Sequence, residues 1–307
     1  MQIDRVISLK DALAAGKARP DAAAFDQRLN ALQPNDLATL IYTSGTTGFP
    51  KGVMLTHNNF YSNVDNTLFE MKDRKTGKPL LTEEDLFLSF LPLSHSLERT
   101  AGFHGAVYAG AKTAFARDFS TILEDFTMVR PTIIICVPRI YEKIHAGILG
   151  KLTSAPPAKQ KIFAFATAQA AKNLNRVCRD LPIWSIKYKI ANKLVFSKLK
   201  AALGMDRLRY AISGGAPLSV GDAAFVIGMG MKILEGFGLT ETSPVTHFNR
   251  PWFIKPGTVG HAIRGTETRI ADDGELLIRG PQVMAGYYKN DAATKEVFTD
   301  EIGRAHV

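Results

Sequence analysis

Only two cysteines occur in 307 residues: Cys136, inside Ile133-Ile-Ile-Cys-Val137, and Cys178, in a basic stretch. They supply neither the spacing of a zinc site nor a disulfide framework, and a reducing compartment is the simpler expectation. No apolar run approaches the roughly 20 residues that cross a bilayer. Met1-Gln-Ile-Asp-Arg5 lacks the basic and apolar regions of a signal peptide, so a cytoplasmic protein is expected. Internal repeats, low-complexity tracts and an obvious nucleophilic triad are also missing. What the chain does have is 46% hydrophobic and 22% charged residues, enough for a large core in one or two domains. The net charge of +9 is concentrated, because Arg139 to Arg209 holds 15 Lys/Arg against 3 Asp/Glu and the remainder is slightly acidic.

The most informative stretch is Thr43-Ser-Gly-Thr-Thr-Gly-Phe-Pro-Lys51, which follows the apolar run Leu37-Ala-Thr-Leu-Ile-Tyr42. A strand feeding such a loop leaves backbone N–H groups pointing outward, and Gly45 and Gly48 let the backbone approach an anion closely. The hydroxyls of Thr43, Ser44, Thr46 and Thr47 add donors, and Lys51 adds a mobile positive charge. The glycine-to-lysine spacing is not that of a Walker loop, which argues against a P-loop kinase or GTPase.

Further along, Gly52–Thr56 reads as a short strand, with Thr56 capping a helix through Phe60, Val64 and Leu68. Leu86–Leu91 and Thr132–Val137 read as buried strands, Lys112–Ala116 as a third, and Thr121–Arg130 as a helix between them. That alternation predicts parallel β-α units with both sheet faces covered. From Tyr141 to about Leu203 no strand is evident, and the pattern is helices broken at Pro156-Pro157 and Pro182. Ile183, Ile186, Ile190 and Leu194 mark one apolar stripe there, with Lys187, Lys189 and Lys193 beside it. Alternation resumes with Arg209–Ser213, a helix from Val220 to Gly228, and Lys232–Leu234. Beyond Gly257 short strands such as Glu267–Ile270 and Glu275–Arg279 suggest a small β-rich subdomain.

Three further elements carry chemistry. Ser213-Gly-Gly-Ala-Pro217 lies at the carboxyl end of a predicted strand, where open α/β sheets put their crevices. Glu235-Gly-Phe-Gly-Leu-Thr-Glu241 combines flexible backbone, an aromatic ring and a hydroxyl-carboxylate pair. Leu91-Pro-Leu-Ser-His-Ser-Leu-Glu-Arg99 puts His95 after a strand, able to titrate or hydrogen-bond near neutral pH.

Tyr42-Thr-Ser-Gly-Thr-Thr-Gly-Phe-Pro-Lys-Gly-Val53 resembles the signature loop of the adenylate-forming superfamily, which activates carboxylates with ATP and passes the acyl group to a thiol. The motif around His95, Val137-Pro-Arg-Ile-Tyr-Glu142 and the helical insertion most resemble long-chain fatty acyl-CoA synthetases. The resemblance implies an α/β fold: two parallel β-α subdomains, a helical insertion at 139–209, and the start of a β-rich subdomain at 257–301. It implies ATP, Mg²⁺ and coenzyme A as cofactors and co-substrates, and a long-chain fatty acid as substrate. Residues 43 to 48 and Lys51 are implied at the phosphates, Gly214, Gly215 and Ala216 at the acyl and adenine pockets, and Glu235, Gly236, Phe237 and Gly238 around adenine. Thr240 is implied at the α-phosphate, Thr43 and Glu241 at the metal, and His95 beside the acyl chain. Phe237 stands where tyrosine is common and keeps the stacking face.

The resemblance covers residues 1 to 301 and implies a partial N-terminal domain. Ile302–Val307 reads as a non-native tail, the C-terminal domain with its adenylation lysine as absent, and the chain as incomplete for catalysis. Two rival functions are adenylation of an aryl or amino acid, and non-catalytic binding of acyl groups or nucleotide. The basic insertion, with Trp184 beside its stripe, is expected either to touch an anionic membrane, peripherally and from inside the cell, or to be a solvated basic face. No nucleic-acid recognition motif accompanies the charge.

Overall fold

A computed structural model of the chain describes residues 7–43 and 49–298. The chain divides into two units, Met1–Asp36 and Leu37–Val307. In the first, α1 (Leu9–Ala18) is capped by Ser8 and α2 (Ala22–Ala31) by Asp21, each side chain accepting a backbone N–H of the first turn, and neither helix buries a residue.

The second unit starts with a hairpin, β1 (Leu37–Thr43) and β2 (Lys51–Thr56), paired antiparallel so that Thr43 faces Lys51. Seven residues separate the two strands, too few for the crossover that parallel strands need. Helix α3 (His57–Glu70) follows at once, and the expected cap is present: Asn59 N donates to Thr56 Oγ1 at 3.2 Å and Thr56 N donates to Asn59 Oδ1 at 2.9 Å.

The main sheet takes β3 (Leu86–Ser89), β4 (Lys112–Phe115), β5 (Ile133–Cys136), β6 (Tyr210–Ser213), β7 (Lys232–Gly238), β8 (Val245–Phe248) and β9 (His261–Ala262). Their order is β4-β3-β5-β6-β7-β8-β9, parallel from β4 to β7 and antiparallel from β7 to β9. Ile133, Ile134 and Ile135 are at most 3% exposed, which is why this strand is apolar at every position rather than at alternate ones. The fold is the expected mixed α/β class with a parallel-rich sheet.

Between β3 and β4 lie a π-helical segment, Glu98–His104, and the short α4 (Gly105–Tyr108). Helix α5 (Ile122–Val129) joins β4 to β5. The insertion consists of α6 (Pro138–Thr153), α7 (Pro157–Cys178), α8 (Ile186–Ala191), a second π-helical segment Asn192–Phe196, and α9 (Ser197–Ala202). The prolines act as starts rather than interruptions, because Pro138 and Pro157 occupy first-turn positions where no N–H is needed. Helix α10 (Val220–Gly228) packs on α7 so closely that a Cβ at Gly228 would lie 2.8 Å from that of Ala170.

Strands β10 (Glu267–Ile270) and β11 (Leu276–Arg279) form the expected hairpin, while β12 (Gly286–Tyr287) pairs with β2 and α11 (Asp291–Val297) follows it. Among the described residues no helix is long and apolar enough to cross a membrane. Three of the four residues of the insertion's apolar stripe are turned outward: Ile186 is 73% exposed, and Ile190 and Leu194 are exposed too, while Ile183 packs half-buried against the core and Tyr188, Ala191 and Phe196 are buried. The spacing from Ala191 to Phe196 spans the π-helical segment, whose extra residue per turn shifts the inward face away from the regular stripe.

Candidate active site

The parallel strands end at one edge, and their carboxyl ends open into a cavity of about 740 Å³, within the size range of small-molecule sites. Its wall is completed by α3, the π-helical segment and β12. Helix α3 is fastened there by its polar face: Asn59 Nδ2 donates to Pro281 O and Val283 O, and Asn63 Nδ2 donates to Thr242 O at 3.1 Å and Val245 O at 2.8 Å.

Thr43, Lys51, His95, Gly214, Gly215, Gly236, Phe237, Gly238, Thr240 and Glu241 line this one cavity. Residues from four separated motifs therefore converge. Ser44, Gly45, Thr46, Thr47 and Gly48 lie outside the described residues. Two positions do not line the cavity. Ala216 is exposed on the turn after β6. Glu235 is buried, with Oε1 accepting the Leu218 amide at 3.2 Å, so it braces the 213–217 turn instead of facing a ligand. Glu235 to Gly238 also prove to be the last residues of β7 rather than a loop after it, since Gly236 and Phe237 pair with Phe248 and His247.

The cavity has two characters. Toward solvent stand the half-buried Thr43, Lys51, Phe237, Thr240 and Glu241. Toward the interior stand Met71, Leu81, Phe87, Leu97, Leu234 and Phe248, all buried. His95 Nδ1 accepts the Leu97 amide at 3.2 Å, which leaves Nε2 as the ring nitrogen able to meet a ligand. The Phe237 ring lies 6.3 Å from that of His247, whose pKa burial pushes below its ordinary value, with Arg250 adding to the effect.

Tyr287 belongs to the site although the sequence reading passed over it. Its hydroxyl donates to Glu241 Oε1 at 2.8 Å, Met284 N donates to Glu241 O at 2.8 Å, and Lys51 Nζ lies 5.2 Å from the Tyr287 ring centroid. Burial first, then the Glu241 carboxylate, pushes the phenol far above its ordinary pKa, so it stays a donor. Strand β12 thus joins the lysine of one motif to the glutamate of another. The available signal was Gly286-Tyr-Tyr288, two adjacent aromatics after a glycine in a segment otherwise read as plain β structure.

Glu241 brings one carboxylate and Thr43 one hydroxyl to the polar end of the cavity, oxygen donors of the kind a hard cation takes, and no cluster of three His, Cys, Asp or Glu residues occurs among the described residues. A hard cation that keeps its waters and leans on substrate phosphates needs no more protein than this.

Behind the cavity, Glu98 is 2% exposed. Burial pushes its carboxyl from 4.5 up to about 7, with a hydrogen bond to Ser89 pulling the other way. Space for it comes from Gly102, where a Cβ would stand 2.6 Å from Glu98 Oε1. Because the folded pKa is the higher one, the fold holds the proton more tightly than the unfolded chain does. The resulting stability is complete below about 4.5 and is lost as pH rises toward 7. Over that window the parent is expected to lose on the order of 3 kcal/mol that Glu98→Gln keeps. Urea midpoints of parent and variant on either side of the window check this, and equal pH dependence of the two rules it out.

Known proteins resemble this chain in sequence and in fold. The chain is 41% identical over 300 residues to the long-chain-fatty-acid–CoA ligase FadD15 of Mycobacterium tuberculosis, covering 94% of this chain and 47% of that protein. It is 35% identical over 318 residues to the peroxisomal long chain acyl-CoA synthetase 6 of Arabidopsis thaliana, covering 98% and 42%. The chain thus spans about half the length of the curated relatives it matches. Among solved structures, a malonyl-CoA ligase in a ternary product complex with methylmalonyl-CoA and AMP superposes with a TM-score of 0.62 at 24% identity, covering 90% of this chain and 50% of that one. The o-succinylbenzoate CoA synthetase of Bacillus subtilis in complex with AMP gives 0.60 at 23%, covering 89% and 47%. The family profile described as AMP-binding enzyme matches residues 2–288, and the chain belongs to that family.

Proposed function

We propose that this chain carries the nucleotide- and acyl-binding part of an ATP-dependent long-chain fatty acid–CoA ligase. The observation that carries the reading is the single cavity with a polar end bearing Lys51, Thr240 and Glu241 and a buried apolar end. A fatty acid with its chain in the apolar end presents its carboxylate toward the polar end, beside the α-phosphorus of ATP. The carboxylate oxygen bonds to that phosphorus as the bond to pyrophosphate breaks, giving acyl-adenylate. Attack by the coenzyme A thiol on the acyl carbon then releases AMP and gives the thioester.

The chemistry asks little covalent help of the protein: two anions must be brought together and their charge held in place. In this reading Lys51 offsets phosphate charge, Phe237 packs on adenine, Thr240 donates to the α-phosphate, and Thr43 and Glu241 hold Mg²⁺, whose contribution is to neutralise phosphate charge. His95, which lines the cavity and keeps Nε2 free of the Leu97 amide, would stand beside the acyl chain.

The test is binding of a palmitoyl-adenylate mimic in which a sulfamoyl group replaces the phosphate. By calorimetry on the purified chain it is expected to bind at least about 100-fold tighter than ATP or palmitate alone, since one molecule fills both ends. Aryl and aminoacyl mimics are the comparison. Tighter binding of either of those, or no gain over adenosine sulfamate, turns the reading toward the corresponding rival.

Trp184, 75% exposed, stands with exposed Ile186, Ile190 and Leu194 beside Lys187, Lys189 and Lys193. Apolar groups flanked by lysines suit an anionic membrane surface, from which a long-chain acid would arrive, and each lysine near such a surface gains about 1 kcal/mol. The chain is expected to sediment with anionic vesicles at low salt, and the Trp184→Ala, Ile186→Ser variant to lose most of that binding. Equal partition onto neutral and anionic vesicles, or none onto either, sinks the membrane contact.

A further inference from the structure

We infer that the buried half of the cavity is built for an acyl chain bearing an oxygen substituent, and that Asn63, Thr67 and Thr100 are the groups that select it. The inference rests on the reading of this cavity as the acyl site. Buried polar side-chain atoms without a hydrogen-bond partner are few in a folded protein, and each is costly. Among the described residues, four such atoms belong to side chains lining this cavity: Asn63 Oδ1, Thr67 Oγ1, Thr100 Oγ1 and Ser213 Oγ. Asn63 and Ser213 are 0% exposed and Thr100 is 1% exposed, so bulk water does not serve them.

Their chemistry is complementary to a hydroxyl. The Asn63 amide is held in one orientation, because its Nδ2 donates to two carbonyls, Thr242 O and Val245 O. That leaves Oδ1 as a pure acceptor. Thr67 sits one helical turn further along α3, on the same face and about 6 Å away along the axis. Thr100 approaches from the π-helical segment packed against α3. Both threonines donate and accept. A hydroxyl on the chain donates to Asn63 Oδ1 and accepts from a threonine, while a bare hydrocarbon covers all three and bonds none. Asn63 is tied to the Thr242 and Val245 carbonyls, next to Thr240 and Glu241, which places the subsite toward the carboxyl end of the chain rather than at its tail.

The experiment uses the purified chain and a panel of palmitoyl-adenylate mimics, unsubstituted or carrying one hydroxyl at successive carbons, titrated by calorimetry. At least one hydroxylated mimic is expected to bind about tenfold tighter than the unsubstituted parent. The Thr67→Val, Thr100→Val variant, which keeps side-chain shape and removes both hydroxyls while leaving the Asn63 acceptor, is expected to lose most of that preference. Thr100→Val alone is expected to raise the melting temperature of the unliganded chain, since it removes an unpartnered hydroxyl. If the parent binds as tightly as every hydroxylated mimic, or the preference is undiminished in the double variant, the threonines select nothing and the inference is overturned. If no acyl mimic exceeds adenosine sulfamate, the acyl reading itself has failed, and this inference with it.

Discussion

Glu241→Gln is expected to lower affinity for ATP in the presence of Mg²⁺ by about 100-fold or more while leaving the fold unchanged. The substitution preserves shape and the acceptor: Gln Oε1 still receives the Tyr287 hydroxyl now bound at 2.8 Å, and the backbone bond from Met284 N is untouched. What is lost is one negative charge at the place where, in the proposed reading, Mg²⁺ would meet the triphosphate. The sign of the effect reverses without the metal, because a carboxylate near phosphates repels them. In EDTA the variant is therefore expected to bind ATP as well as the parent or better. Calorimetric titrations with and without Mg²⁺, alongside melting curves, separate the cases. Equal losses in both conditions would mean that Glu241 acts on the nucleotide directly, and no loss in either would remove it from the site. In a turnover assay the same change is expected to slow adenylation by orders of magnitude.

Gly238→Ala is the second change with a large expected effect, and its cause is steric. A Cβ at Gly238 would lie 1.6 Å from Pro244 O and 2.5 Å from Pro244 C, both backbone atoms that no side-chain rotation can move. At this point β7 and β8 change register, between Phe237 and Gly238, and the chain then turns through Thr240 and Glu241. Accommodating a methyl group means pushing that turn away from β7. The expected cost is about 3 kcal/mol of stability, together with loss of tight binding of the palmitoyl-adenylate mimic. Gly236 is the internal control, since a Cβ there would stand 3.2 Å from His247 O, a contact that a small shift relieves. Gly236→Ala is expected to be milder on both measures. A Gly238→Ala protein with native stability and native affinity would show that the close approach has no bearing on the site.

How much was legible in advance differs between elements. Thr43 and Lys51 at the ends of the Ser/Thr/Gly-rich motif, the glycine turn after β6 and Phe237-Gly-Leu-Thr-Glu241 stand out because each motif concentrates unusual residue types within a few positions, and all line the cavity in part. The Thr56 cap was legible for a related reason, since a cap acts on backbone groups two or three residues away, whereas Pro138 and Pro157 read as a stop and a break and instead start α6 and α7. Tyr287 was not legible, because its partner Glu241 lies 46 residues earlier and nothing local marks the bond. Asn63 was missed likewise, its carbonyl partner on Thr242 being 179 residues away. Glu235 was placed at the ligand because it stands in the motif, whereas its carboxylate turns inward to the Leu218 amide.

By itself the sequence determined the family, the alternation of strand and helix, the helical insertion and the motifs that reach the cavity. Each of these depends on dihedral preferences, caps and runs of apolar residues that act over short distances along the chain. Only the tertiary structure decided which side chains meet. The order β4-β3-β5-β6-β7 brings three separated motifs to one edge, and in the separate sheet β1-β2-β12 the pairing of β12 with β2 brings Tyr287 between Lys51 and Glu241. It also decided which way a face turns. Periodicity at Ile186, Ile190 and Leu194 announces a stripe, but the inward face belongs to Tyr188, Ala191 and Phe196. A π-helical turn and competition among side chains for one buried surface settle that choice, and neither is written in the spacing of the stripe.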